Sequence, residues 1–280
     1  EQSRVRAQRL GYFESVNVET IPVPGTSDQV DLDFSLIEQA SGSLSAGLGY
    51  SQSEGIILNA NVSQQNFLGS GKHIRFGFNN SSVNTVYSFG YTNPFATVDG
   101  ISQGFNAFFR KTDAGEAENV ASFSSDVWGG DINFGIPISE DNRINFALGY
   151  ENTDLSLGSS SPASYFDWIA NNSETCGNQA DSSDCKFDNL FIRVSWVDDT
   201  RDNGTLPTRG MRQVFSTEVS SPLGASLQYY KIRYQNNWFY PLTEKYIFSM
   251  RGTFGYGDAF GDTVDYPFFK NFYAGGIKSV

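Results

Sequence analysis

Nowhere in the 280 residues is there a run of about 18 apolar side chains, so no segment can cross a bilayer as a helix. Basic residues are scarce: 19 Lys and Arg stand against 31 Asp and Glu, a formal charge of −12 with a pI near 4.5. Phosphate backbones are bound by clustered cations, and none are clustered here, which excludes a nucleic-acid partner. The single histidine, His73, has no second histidine and no neighbouring cysteine. It can form neither a metal centre nor a His-based triad, and at a strand start beside a tight turn it is structural or solvent-facing. The only cysteines, Cys176 and Cys185, lie in a Ser/Asn/Asp-rich stretch that reads as an exposed loop. They are read as a loop-closing disulfide, with free thiols as the alternative, and a disulfide fits an extracytoplasmic compartment. The sequence opens at Glu1 without initiator Met, basic segment or apolar stretch, so a signal peptide is expected upstream.

What is present is unusual in combination. Aromatics reach 15%, glycine contributes 28 residues and mean hydropathy is −0.34, too aromatic for disorder and too polar for a helical membrane bundle. The first segment differs from the rest. Val5, Leu10 and Phe13 fit the end of an amphipathic helix, with Gly11 near its stop. Val16 and Val18, a Pro22/Pro24/Gly25 turn, and Val30, Leu32, Phe34 and Leu36 then predict two half-buried strands, the back half of a small α+β domain over residues 1–40.

Residues 41–280 are strands throughout, by the parity of the numbering. Leu44, Ala46, Leu48 and Tyr50 alternate with Ser43, Ser45, Gly47 and Gly49; Ile56, Leu58, Ala60 and Val62 alternate with Asn59, Asn61 and Ser63. The pattern continues through Phe76, Phe89, Phe105, Ile132, Leu148, Ile192, Phe215, Tyr234 and Phe254, giving about eleven strands with no convincing helix between them. Tight turns are predicted at 69–72, 139–143 and 243–245, longer loops at 111–125 and 152–186, with short and long largely alternating. The polar turn Asp198–Gly210 breaks that alternation. Alternation alone does not say which face meets water. Three features favour a membrane barrel: a polar face of Gly, Ser and Asn rather than Lys and Glu, aromatics near strand ends, and strands of about 9–11 residues. The expected class is therefore an all-β antiparallel transmembrane barrel.

No constellation points to an enzyme, and neither a cofactor nor a metal is expected. Asp198, Asp199, Asp202 and Asn203 resemble a calcium loop, but the spacing is wrong and the terminal Glu is missing. Gly69-Ser70-Gly71-Lys72 ends like a phosphate loop yet joins two strands, so it reads as a hairpin turn.

Several segments carry a family likeness. Arg9-Leu10-Gly11-Tyr12-Phe13-Glu14-Ser15-Val16, Pro24-Gly25 and Asp28–Leu32 resemble the last POTRA domain of the BamA family. Gly47-Leu48-Gly49-Tyr50, Asn66–Gly71, Thr92-Asn93-Pro94-Phe95 and Val98-Asp99-Gly100 resemble its first barrel strands; Gly255–Asp258 and Asn271–Gly276 resemble the approach to its sixth extracellular loop. The likeness spans the chain in order. It implies a sixteen-stranded outer-membrane barrel of a Gram-negative bacterium, of which about eleven strands are here, with residues 1–40 in the periplasm. It further implies assembly of nascent outer-membrane proteins through a lateral seam. There the first strand, Ser43, Leu44, Ser45, Ala46, Gly47, Leu48, Gly49 and Tyr50, pairs with a client strand by β-augmentation. Expected partners are those clients, accessory assembly lipoproteins, and outer-membrane lipid with lipopolysaccharide. The family's Val-Arg-Gly-Phe loop motif would begin at Val280, so the activity is expected of a longer parent. A passive pore or a two-partner secretion pore is the competing class, and a soluble all-β binding protein a third.

Overall fold

The computed structural model describes residues 12–272 apart from 27, 53, 114–122, 159–160, 173–184, 205, 222, 224–225 and 244. The N-terminal helical stretch, Cys176 and Val280 lie outside the described residues.

Two antiparallel strands come first, β1 (Phe13–Pro22) and β2 (Val30–Glu38), turning through Pro24 and Gly25, the latter at a φ of 88° that glycine adopts without cost. Eleven further strands form one sheet in strict sequence order, every neighbour antiparallel. They are β3 (Gly42–Ser51), β4 (Gly55–Gln64), β5 (His73–Asn80), β6 (Asn84–Asn93), β7 (Ser102–Asp113), β8 (Phe123–Pro137), β9 (Asn142–Leu157), β10 (Cys185–Asp199), β11 (Gly210–Ser220), β12 (Tyr229–Pro241) and β13 (Ile247–Ala259). A helix, α1 (Ala163–Asn172), lies between β9 and β10.

The face question is decided by exposure. Ile132, Leu148 and Ile192, apolar and in mid-strand, are 54%, 55% and 52% exposed. A water-soluble sandwich would bury such residues; a wall facing hydrocarbon leaves them outward. The opposite face holds paired polar groups. Asn106 and Asn133 donate to Asp131 Oδ1 at 3.0 and 2.9 Å, and almost fully buried Glu218 accepts from Arg193 at 2.6 Å and Lys231 at 2.9 Å. Aromatics gather towards both ends of the outward face: Trp128 packs on Tyr150 (5.6 Å between centroids) towards the α1 end, and Trp238 on Tyr240 (5.9 Å) towards the β1–β2 end. Amphipathic rings concentrate at bilayer interfaces.

The structure corrects two sequence expectations. The stretch 152–186 is not wholly loop: β9 extends to Leu157, and α1 follows. The helix forms because Trp168 and Ile169 are buried against Leu155, Cys185, Phe187, Leu227, Tyr229 and Phe268, most of them distant in sequence. Nor do short and long connections alternate throughout. At the α1 end the connections 52–54 and 81–83 are as short as hairpin turns, and length appears only from β7 onward. The central strands β8, β9 and β10 run 15, 16 and 15 residues, beyond what the hydrocarbon needs, and their ends carry the small α1-centred core.

Candidate functional site

The eight residues predicted to pair with a client, Ser43 to Tyr50, all fall within β3, which is an edge of the eleven-stranded sheet. One side of β3 is in register with β4 from Gly42↔Gln64 to Ser51↔Gly55. The other side pairs with no described strand, and such an edge presents N–H and C=O groups to any extended segment. Leu44, Leu48 and Tyr50 project outward at 77%, 76% and 79% exposure. Where Ala46 faces Ala60 the outward surface dips into a groove of about 470 Å³ with Leu48, Leu58 and Phe78 around it.

The glycines of β3 differ in their surroundings. A side chain at Gly49 would meet only Ile57, at an ordinary 3.8 Å, so no crowding demands glycine there. At Gly47 the obstacle is the movable Asn59 amide, 2.7 Å away. Glycine in a strand interior adds backbone entropy and contributes no packing.

The β1–β2 ribbon is fastened close to this edge. The buried Tyr12 hydroxyl donates to the Gly71 carbonyl at 2.9 Å and stands 3.0 Å from His73 Nε2, at the β4–β5 turn. Burial pushes the Tyr12 phenol up from its ordinary value. The Gln39 amide donates to Tyr12 O at 2.9 Å, and Gln65 N to Ser41 O at 2.9 Å. His73 is thus structural, as expected. Its partner was not readable in sequence, because the two residues stand 61 positions apart.

The Gly69–Lys72 stretch is indeed a turn: Gly69 and Gly71 have φ of 72° and 70°, and Gly71 N donates to Asn66 Oδ1 at 2.8 Å. The acidic turn after β10 spends its carboxylates on its own donors. Asp199 accepts two bonds from Arg201, each 2.7 Å. Asp202 accepts from Thr208 N at 2.9 Å, from Arg209 N at 3.2 Å and from the Thr208 hydroxyl, and these bonds pull its carboxyl down to about 2. Cys185 begins β10, far along the sheet from β3, and is buried and not a free thiol.

Residues 66–280 match the model of the Omp85 superfamily domain. Over 283 aligned positions the chain is 32% identical to the outer membrane protein assembly factor BamA of Neisseria meningitidis serogroup B, covering 100% of this chain and 35% of that protein. It is 24% identical over 280 positions to the factor of the same name from Nitratidesulfovibrio vulgaris, covering 100% and 33%. The chain therefore spans about a third of the length of the curated relatives it matches. Among solved structures, BamA from Haemophilus ducreyi lacking POTRA domains 1–3 superposes with a TM-score of 0.79 at 25% identity, covering 99% of this chain and 52% of that one. CdiB from Acinetobacter baumannii shares the fold, with a TM-score of 0.57 at 13% identity over 98% and 49%. With the family match covering most of its length and an apolar wall turned outward, the chain belongs to the Omp85 superfamily and is part of an outer-membrane β-barrel.

Proposed function

We propose that the protein assembles other β-barrels in the outer membrane, with the β3 edge as the seam at which a client strand is received. What supports the reading is the place of β3 as the first strand of the barrel sheet together with its shortage of packing side chains. Main-chain pairing accepts most client sequences, so it needs no catalytic side chain, cofactor or metal. Residues 1–40 are taken as the end of a periplasmic POTRA domain, which Tyr12 holds beside the β4–β5 turn. The β1–β2 end then faces the periplasm and the α1 end the exterior. Cys185 is paired with Cys176, closing the loop after α1 on the oxidising side. Nascent outer-membrane proteins, accessory lipoproteins and the surrounding lipid are the partners.

The test places single cysteines at alternating positions from Leu44 to Tyr50 in a full-length, otherwise cysteine-free protein and crosslinks them to the final strand of a client during assembly. Crosslinks that excess client peptide competes away support the seam. A folded, ion-conducting protein that gives no crosslink would identify a passive pore.

A further inference from the structure

The outward wall of β10–β13 is interrupted by a polar row. Cross-strand register sets Asp198 of β10 against Gln213 of β11, Gln213 against Asn236 of β12, and Asn236 against Gly252 of β13. The rows on either side are bulky: Met211, Trp238 and Met250 towards the β1–β2 end, Phe215, Tyr234 and Phe254 on the other. Met211, Phe215, Trp238, Met250 and Phe254 are exposed, so the row between them lies on the same outer surface. Trp238, packed on Tyr240, belongs to the aromatic girdle, and Gln213 and Asn236 lie one row inside it.

Two amides facing hydrocarbon are an anomaly, because acyl chains offer neither donor nor acceptor. The wall satisfies them incompletely. The Tyr234 hydroxyl donates to Gln213 Oε1 at 2.7 Å and accepts from Asn236 Nδ2 at 3.2 Å, while Gln213 Nε2 donates to Asp198 Oδ2 at 3.4 Å. Among the described residues, one proton of Asn236 Nδ2 and one lone pair of Gln213 Oε1 are left over. At the other end of the same amide, Asn236 Oδ1 is buried without a hydrogen bond among the described residues. The row is therefore unfavourable for an isolated wall, where leucine would serve better. Gly252, with no side chain, leaves the approach to Asn236 open from β13.

What completes the row must bring hydrogen-bonding groups to a depth that lipid headgroups, held at the girdle, do not reach. A second protein wall can, and this row is complementary to itself. Two copies inserted the same way up share the membrane normal, so their symmetric contact is a two-fold about an axis along it. Such an axis reverses the order of the strands. Placed between β11 and β12, it sets Asn236 of each copy against Gln213 of the other, and each remaining Nδ2 proton meets a remaining Oε1 lone pair. With strands about 4.8 Å apart and tilted by about 40°, the two amides differ in depth by about 3 Å, within reach of two side chains. We infer that this face is a self-association surface, through which two copies of the protein pack wall to wall on the Gln213–Asn236 row. The inference uses neither the β3 seam nor the client reading; it needs only the lipid-facing wall.

The test takes full-length wild type, Asn236→Leu, Gln213→Leu, and Ile132→Trp on β8, away from the row. Each is fluorescently labelled and diluted into phosphatidylcholine liposomes, and copies per particle are counted by single-molecule photobleaching. Leucine suits a lipid-facing position, and the heat-dependent shift on SDS gels checks that every variant is folded. Wild type and Ile132→Trp are expected to be dimers. Either leucine variant loses both reciprocal bonds and should dimerise about tenfold more weakly, about threefold for each bond. A further arm mixes the two leucine variants in different colours. A mixed pair keeps one Asn236–Gln213 bond and sets leucine against leucine, so mixed pairs should exceed the share expected at random. A random mixture overturns the amide contact. A monomeric wild type, or equal dimerisation by all four proteins, overturns the surface itself.

Discussion

Asp202 shows how much a single side chain organises in this protein. Three donors from Thr208 and Arg209 converge on its carboxylate and fold the turn after β10 back on itself. Its folded pKa, about 2, lies below the ordinary 3.8. A depressed carboxylate stabilises the folded turn fully above its unfolded pKa, and that contribution is lost as pH falls from about 4 through about 2. Amide exchange at Thr208 and Arg209, corrected for intrinsic rates, should therefore be slow at pH 5 and accelerate on acidification. In Asp202→Ala it should be fast at both. Protection that survives the substitution would show that the flanking strands, not the carboxylate, hold the turn. Gly49 makes the opposite point: its surroundings have room for a side chain, so crowding in the wall does not require glycine there.

Among the elements, α1 draws its stability from outside itself. Trp168 packs on Phe187, Phe268 and Phe269 at centroid distances of 5.3, 5.6 and 5.5 Å, and its Nε1 donates to the Asp265 carbonyl at 3.0 Å. Truncating a buried tryptophan costs about 3–5 kcal/mol. In Trp168→Ala that loss should fall on the α1 cap: residues 163–172 become protease-sensitive while the temperature at which the barrel unfolds on SDS gels stays put. A matching fall in barrel melting would show that cap and wall are one cooperative unit. The same element marks where sequence reading ends. Leu44–Tyr50, Ile56–Val62 and Phe105–Phe109 announce their strands through period-two alternation, because the outward face has one solvent and the inward face another. Ten residues of helix whose partners arrive from β9, β10 and the segment after β13 have no such local signature. Gly129 and Gly130 lie within β8, where close backbone approach requires glycine. The strand holding Ser43 to Tyr50 was legible through its alternation, whereas the Tyr12–His73 contact, 61 positions apart, appears only in the fold.

At the scale of the whole molecule the decisive property is inversion: apolar side chains outside, hydrogen-bonded polar ones inside. Ile132 and Asn133 sit side by side on β8 and point to opposite faces. Ile132 lies six residues from the charged rim at Asp126, about 20 Å along the strand. With the usual tilt of about 40° that is about 15 Å in depth, the middle of a hydrocarbon layer of about 30 Å. An arginine there has neither water nor a counter-charge, and the expected cost is about 2–4 kcal/mol. An arginine at Asn133 enters the polar face beside Asp131, the carboxylate that Asn133 already contacts at 2.9 Å, and should be tolerated. Urea unfolding of full-length Ile132→Arg and Asn133→Arg in liposomes measures both. A large loss in the first and little change in the second is what an inverted wall requires. The reverse ranking would mean that the apolar face is packed against protein, and with it would go any client path that leaves the β3 edge into the bilayer.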